Sequence, residues 1–285
     1  MMEKKDKEYH IRISANNPWF KLNLKEVWQY RDLIVLFTKK AFTVKYKQTI
    51  LGPLWLFIGP IFSCVVYTVL FGRIAGLSTE GVPRLLFYLT SNAIWGFFSN
   101  CLNANTGTFV ENARLFGKVY FPRLSIPVSR IFTSLIQFAI QMVLVIAFLV
   151  YYYFKGEVHP NLSAFYLIPI VLLQLGALGM GVGILISSLT TKYRDLYSLF
   201  GFGFQLWMYA TPVVYPMSQI KEPLLRKFIL INPVSMSMEA FRYVFLGVGH
   251  VDARIFILSC AFTLVMLTGG IMIFNRVERT FMDTV

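Results

Sequence analysis

Six long apolar runs divide the chain: residues 52–71, 85–110, 128–154, 164–189, 196–215 and 255–274. Each reaches about 20 residues, the length at which a helix crosses a hydrocarbon core of ~30 Å. In lipid an isolated apolar segment must satisfy its own backbone, which a helix does and an open strand does not. The pattern therefore predicts an all-α integral membrane protein with six transmembrane helices. Lys and Arg set the orientation. Residues 1–51 carry eleven of them, the connections after the second and fourth runs add Arg114, Lys118, Arg123, Lys192 and Arg194, and the tail adds Arg276 and Arg279. The connections after the first and third runs hold Arg73, Arg84 and Lys155. Both termini are thus expected in the cytoplasm. The chain divides into a cytoplasmic N-terminal segment (1–51), a six-span transmembrane domain (52–274) and a cytoplasmic tail (275–285).

Two segments follow a different pattern. Between residues 21 and 50, Val27, Tyr30, Ile34, Phe37, Ala41 and Val44 recur at steps of three and four, with Lys25, Lys39, Lys40 and Lys47 off the stripe. That spacing predicts an amphipathic helix lying in the cytoplasmic interface. Between the last two runs, Pro212 and Pro216 stop the fifth helix, and residues 224–230 and 235–246 form two apolar stretches around Asn232-Pro233, each too short to span. Met238, Phe241 and Phe245 share one face of the second, and Gly247 ends it. These read as two short external re-entrant helices within residues 216–252.

Composition agrees with a membrane protein: 56% of residues are hydrophobic and 14% charged, against about 25% charged in soluble domains. The formal charge of +13 would point to nucleic acid in a soluble chain. Here it follows from topology and anionic lipid, and no nucleic-acid partner is expected. Cys64, Cys101 and Cys260 lie inside apolar runs and read as small buried hydrophobes. His10, His159 and His250 are too scattered to suggest a metal site. About fifty mostly polar residues precede the first run, so no signal peptide is expected.

The interiors of the six runs contain no Asp, Glu, Lys or His, and Arg130 sits at the edge of the third. Ion-coupled carriers and intramembrane enzymes use such groups, so the driving force is expected to come from outside the spans. The chain has no G-x-x-x-x-G-K-[ST] motif, and Gly117-Lys118 is followed by Val119. No cofactor is therefore expected on this chain. Asn92, Gly96, Ser99, Asn103 and Thr106 form a small, polar stripe on the second run, which suits either helix packing or the lining of a pore. Phe202, Gln205 and Tyr209 share a face of the fifth run, with Tyr215 beyond them; aromatic packing and a sliding surface for sugar both fit. Tyr151-Tyr152-Tyr153 reads as an interfacial aromatic belt.

Four pieces in order resemble the permease subunits of type-2 ABC exporters, and more narrowly those that export O-antigen, capsule and teichoic acid polysaccharides. They are Arg31-Asp32-Leu33 with the segment Lys45 to Trp55 and Pro60; Lys118-Val119-Tyr120-Phe121-Pro122-Arg123; Lys192-Tyr193-Arg194-Asp195-Leu196; and Thr211-Pro212-Val213-Val214-Tyr215 with Ile231-Asn232-Pro233. The resemblance implies a homodimer in the cytoplasmic membrane, two copies of a separate ABC ATPase that binds the ATP and Mg, and a lipid-linked polysaccharide as cargo. It implies a coupling helix over residues 111–123, in which Glu111, Arg114, Phe116, Lys118 and Tyr120 meet the ATPase, with Arg194 and Asp195 as a second contact. The conduit would then draw on Phe202, Gln205 and Tyr209, with Asn92, Ser99 and Asn103 in reserve. Two rivals remain: a permease of the same fold for drugs or small lipids, and a membrane-embedded glycosyl- or acyltransferase, against which Glu157, Glu222, Glu239 and Asp252 stand singly.

Overall fold

The computed structural model describes residues 24–47, 50–193 and 195–284, and among them every regular element is helical. A short helix, α1 (Leu24–Gln29), leads into α2 (Arg31–Tyr46). The first apolar run is a helix, α3 (Trp55–Tyr67), that continues through a π-helical segment, Thr68–Ile74. The second forms α4 (Arg84–Thr106), and Gly107 separates it from α5 (Thr108–Phe116). Next come α6 (Ser125–Phe154), α7 (Leu167–Thr190) and α8 (Asp195–Tyr209). Two short helices, α9 (Pro223–Ile231) and α10 (Pro233–Leu246), precede the long α11 (Ala253–Thr284).

Helix α7 is the centre of the bundle, packed on α4 along one side and α11 along another, while α6 lies against α4. Its glycines allow this. A Cβ at Gly183 would stand 2.8 Å from the Leu102 carbonyl oxygen of α4, and one at Gly181 would stand 2.7 Å from Leu267 Cα of α11. Small residues that bring backbones together replace the hydrophobic drive that lipid removes. Helices α3 and α8 are peripheral, and no residue of α8 is buried.

The apolar stripe of α2 is used mainly against protein. Val27 of α1 and Ile34 are buried, and Tyr30 and Phe37 are half-buried, in a cluster with Phe109, Phe116, Phe121, Ile126 and Phe274. This cluster joins α2, α5, the start of α6 and the last turns of α11 at one end of the bundle. Arg123 strengthens the junction, its Nε lying 3.4 Å from Glu278 Oε1. At the opposite end, Asn161 N–H donates to the Val244 carbonyl (2.9 Å), and Ser218 Oγ donates to Glu80.

Four of the six expected spans meet the requirement of length and apolarity: Gly52–Ile74, Ser125–Phe154, Leu167–Thr190 and Ala253–Glu278. The other two depart for different reasons. Helix α4 has 23 residues, but it carries Asn92, Asn100, Asn103 and Asn105 and is sheathed by α3, α6, α7 and α10 rather than facing lipid all round. Helix α8 ends at Tyr209, six residues before the end of the apolar run, because the chain turns at Ala210–Pro212. Its 15 residues extend about 22 Å, short of a full crossing. Two boundaries move the other way. Helix α6 begins one turn before its apolar run, and α11 carries the helix through the expected tail to Thr284.

Candidate functional site

Three regions carry the residues singled out by sequence. The first is the connection after α4. Here the helix covers Thr108–Phe116 and ends at Gly117, well short of Pro122, so residues 117–123 form a non-helical tip rather than the end of a helix. Phe109 N–H donates to Ser187 Oγ of α7 (3.1 Å), which seats α5 on the core. Phe116 was expected to face a partner, but it is turned inward and is 5% exposed. Its ring packs on Phe109 and Phe121, and the Arg123 guanidinium lies 5.2 Å from its centroid. The seven-residue interval from Phe109 puts both rings on the buried face of α5.

What this connection presents outward is Val110, Arg114, Lys118, Val119 and Tyr120, with Val119 56% and Tyr120 65% exposed. Exposed valine and tyrosine between two cations are costly to leave solvated and suit a protein contact. The Tyr120 hydroxyl reaches Glu26, and burial together with that carboxylate pushes its pKa above the usual tyrosine range. Glu111 is exposed as well, but its carboxylate is held by Arg130 Nη2 at 3.0 Å. In the second expected contact, Asp195 opens α8 and is exposed, and the Lys192 ammonium lies over the Tyr193 ring. Arg194 lies outside the described residues, as do Gln48 and Thr49.

The second region is the proposed conduit. Phe202, Gln205 and Tyr209 stand together on one exposed face of α8, with Phe202 62% and Tyr209 64% exposed. The opposite face, through Phe204 and Trp207, packs on Trp95 and Phe98 of α4. The α4 stripe does not join that open face. Asn92 turns to Cys64 Sγ of α3 (3.8 Å), Asn103 donates to Ser99 Oγ (3.3 Å), and Asn103 borders a groove under α2. Asn103 also lines a small cavity with Tyr197, Gly201 and Phe204 of α8, so the two sets approach each other there without sharing the face of Phe202, Gln205 and Tyr209.

The third region was not legible as a site. Arg242 of α10 is fully buried, and its guanidinium ties α10 to α4 and to the turn after α8. Nη1 lies 3.0 Å from Glu239 Oε1, Nε and Nη2 donate to Ser91 Oγ of α4 at 2.9 and 2.8 Å, and Nη2 donates to the carbonyls of Pro212 and, at 3.0 Å, Val213. The Phe87 ring lies 4.2 Å beneath it. Asn232 complements this hub. Its Oδ1 caps α10 by accepting from Val234 N–H (3.1 Å) and also accepts from Trp207 Nε1 (3.0 Å). Its Nδ2 donates to the Ala210 carbonyl and to Thr211 Oγ1. The turn at 210–215 and the Asn-Pro pair are thus parts of one joint. Glu239 is ion-paired to Arg242 within this joint.

Comparison with known proteins matches this architecture. The chain is 28% identical over 256 residues, covering 88% of it and 94% of the relative, to an O-antigen export system permease protein RfbA of Klebsiella pneumoniae. It is 25% identical over 266 residues to the RfbA of Myxococcus xanthus, covering 92% of this chain and 98% of that one. The model of the ABC-2 type transporter family matches residues 32–246, from α2 to the last residue of α10. The chain is a multi-pass membrane protein that belongs to the ABC-2 type transporter family.

Proposed function

We propose that this chain is the permease subunit of an ATP-driven exporter that carries a lipid-linked cell-surface polysaccharide of the O-antigen class across the cytoplasmic membrane. The observation that carries this reading is the similarity to O-antigen export permeases over nearly the full length of both chains. In this reading the chain crosses the membrane six times, with α4 and α8 added to the four apolar spans. Helices α9 and α10 dip into the outer leaflet, and the end holding α2, α5 and the last turns of α11 is cytoplasmic. The excess of Lys and Arg at that end supports the orientation.

ATP and Mg belong to a separate ATPase, two copies of which meet a homodimer of this chain. The tip formed by Arg114, Lys118, Val119 and Tyr120 is the main contact, and Asp195, with Arg194, is the second. Glu111 and Phe116 act behind the contact, the first by holding Arg130 and the second by fixing α5 to the core. The conduit follows the open face of α8. A glutamine held between Phe202 and Tyr209 needs water or a partner at bilayer depth, and a dimer-lined aqueous path supplies either. Asn92, Ser99 and Asn103 then serve α4 packing and the groove under α2. Neutral amide and aromatic surfaces let a long polymer slide without a tight stop.

Deletion of the gene tests the proposal. Loss of surface polysaccharide with accumulation of the lipid-linked polymer inside the cell is expected, and restoration requires this chain. Unchanged surface polymer in the deletion strain would overturn it.

A further inference from the structure

A groove of about 520 Å³ opens between α2, α4, α5 and α6 at the cytoplasmic end, and the coupling reading leaves it without a role. Its mouth carries Lys40 and Lys45 of α2 and Arg130 of α6, against one carboxylate, Glu111. Glu111 occupies one Arg130 nitrogen, and neither lysine has an acidic partner among the described residues. Deeper in, the wall is neutral and hydrogen-bonding, with Asn100 and Asn103 from α4 and Gln137 from α6. Gln137 is 5% exposed overall, but its amide opens into the groove and has no protein hydrogen-bond partner among the described residues. An amide that faces the groove without a protein partner is free to donate to and accept from a polar group that enters.

The depth says what kind of molecule. Arg130 and Gln137 are seven residues apart on a spanning helix, so the groove climbs about 10 Å from its cationic mouth into the leaflet. One side is the half-apolar surface of Phe37, Ala41 and Val44. A soluble anion gains nothing from such a slot. We propose that the groove binds the phosphate-bearing headgroup of a cytoplasmic-leaflet lipid, with Lys40, Lys45 and Arg130 on the phosphate and Asn100, Asn103 and Gln137 on its neutral hydroxyl or glycosyl portion. Positive-inside topology explains cations at this end, but it does not explain the three neutral amides, Asn100, Asn103 and Gln137, that line the same cavity. The lipid is either a resident phospholipid or the phosphate carrier of the exported glycan; the recognition chemistry is shared.

The test uses the full chain, purified and delipidated, then offered phosphatidylglycerol, a polyprenyl diphosphate, or both in micelles of a phosphate-free detergent. Retained lipid is counted by native mass spectrometry. The wild type is expected to hold one phosphate lipid per chain. Lys40→Ala with Lys45→Ala is expected to weaken retention at least about tenfold, since each lysine near an anionic headgroup contributes appreciably. Gln137→Leu is expected to weaken retention while leaving the melting temperature unchanged or raised, as removal of a ligand-facing amide does. A lower melting temperature in Gln137→Leu would mark the amide as structural and overturn its assignment. Displacement of phosphatidylglycerol by the diphosphate supports the site and assigns it to the carrier; the reverse supports it and assigns it to a resident phospholipid. No retention by the wild type, or equal retention by the double-lysine variant, overturns the proposal. The readout is lipid retention, so its failure would leave the export reading standing.

Discussion

Substitution of Arg242 by Met removes the guanidinium while keeping most of the side-chain volume, and it isolates what the buried hub contributes. In the intact protein Glu239 is 2% exposed and faces Arg242 Nη1 at 3.0 Å, and it also accepts the His250 backbone N–H. Without Arg242, the carboxylate is left buried beside one amide donor. Ser91 Oγ and the carbonyls of Pro212 and Val213 also lose their donor. Breaking one side of a buried ion pair costs about 3–5 kcal/mol, and the orphaned carbonyls share that loss rather than adding to it in full. For a chain of this size that corresponds to a fall in melting temperature on the order of 10 °C. Fluorescence-detected size-exclusion after heating measures it in detergent. Arg242→Lys should recover little, because one ammonium cannot reproduce a fork that reaches Ser91, Glu239 and Val213 together. Glu239→Gln combined with Arg242→Met should recover about 1–3 kcal/mol, since no unpaired charge then remains. A single Arg242→Met variant that melts with the wild type, or a double variant no better than the single one, would refute the assignment of the hub.

Gly181→Leu should abolish monodisperse protein, because the new side chain meets the Leu267 backbone, which cannot rotate away; Gly201→Leu, with open space around it, serves as the control. Phe116→Asp and Tyr120→Asp should separate: the first buries a charge in the aromatic cluster and lowers expression, whereas the second leaves folding intact and weakens ATPase association in co-purification. Normal association of Tyr120→Asp would remove the tip from the contact. Cysteines placed at Phe202, Gln205 and Tyr209 should react with a water-soluble maleimide during export. Protection at all three positions throughout the cycle would leave that face to packing or lipid.

Much of the fold was legible in the spacing of apolar residues. The stripe from Val27 to Val44 is a helical face, Asn232-Pro233 does begin α10, and Gly247 does end it with a φ of +70°. Less legible was what each face touches. The stripe was read as lying on lipid because apolar periodicity does not tell protein from membrane, yet Ile34 is buried against α6 and the aromatic cluster. Phe116 was read as a contact residue because the family resemblance places it in the coupling helix. The four-then-three steps from Phe109 through Ala113 to Phe116 already marked an inward face. Arg242 escaped because a lone arginine in a short apolar stretch reads as solvated. The available signal was Glu239 three residues before it on the same helical face, among Met and Phe. The polar character of α4 likewise reflects its place in the bundle, where Asn92 meets Cys64 of α3 and Asn105 is fully buried, although Asn103 is exposed and turns to Ser99 of its own helix.

On the proposed function, this chain moves a glycan only when driven by a separate ATPase. That dependence is tested most directly with inside-out vesicles holding the chain, its ATPase, or both, supplied with labelled lipid-linked polysaccharide. Protected, lumenal polymer is expected only when both proteins and hydrolysable ATP are present, with no ATP hydrolysis by the chain alone. Equal accumulation without the ATPase, or with this chain omitted, would contradict it.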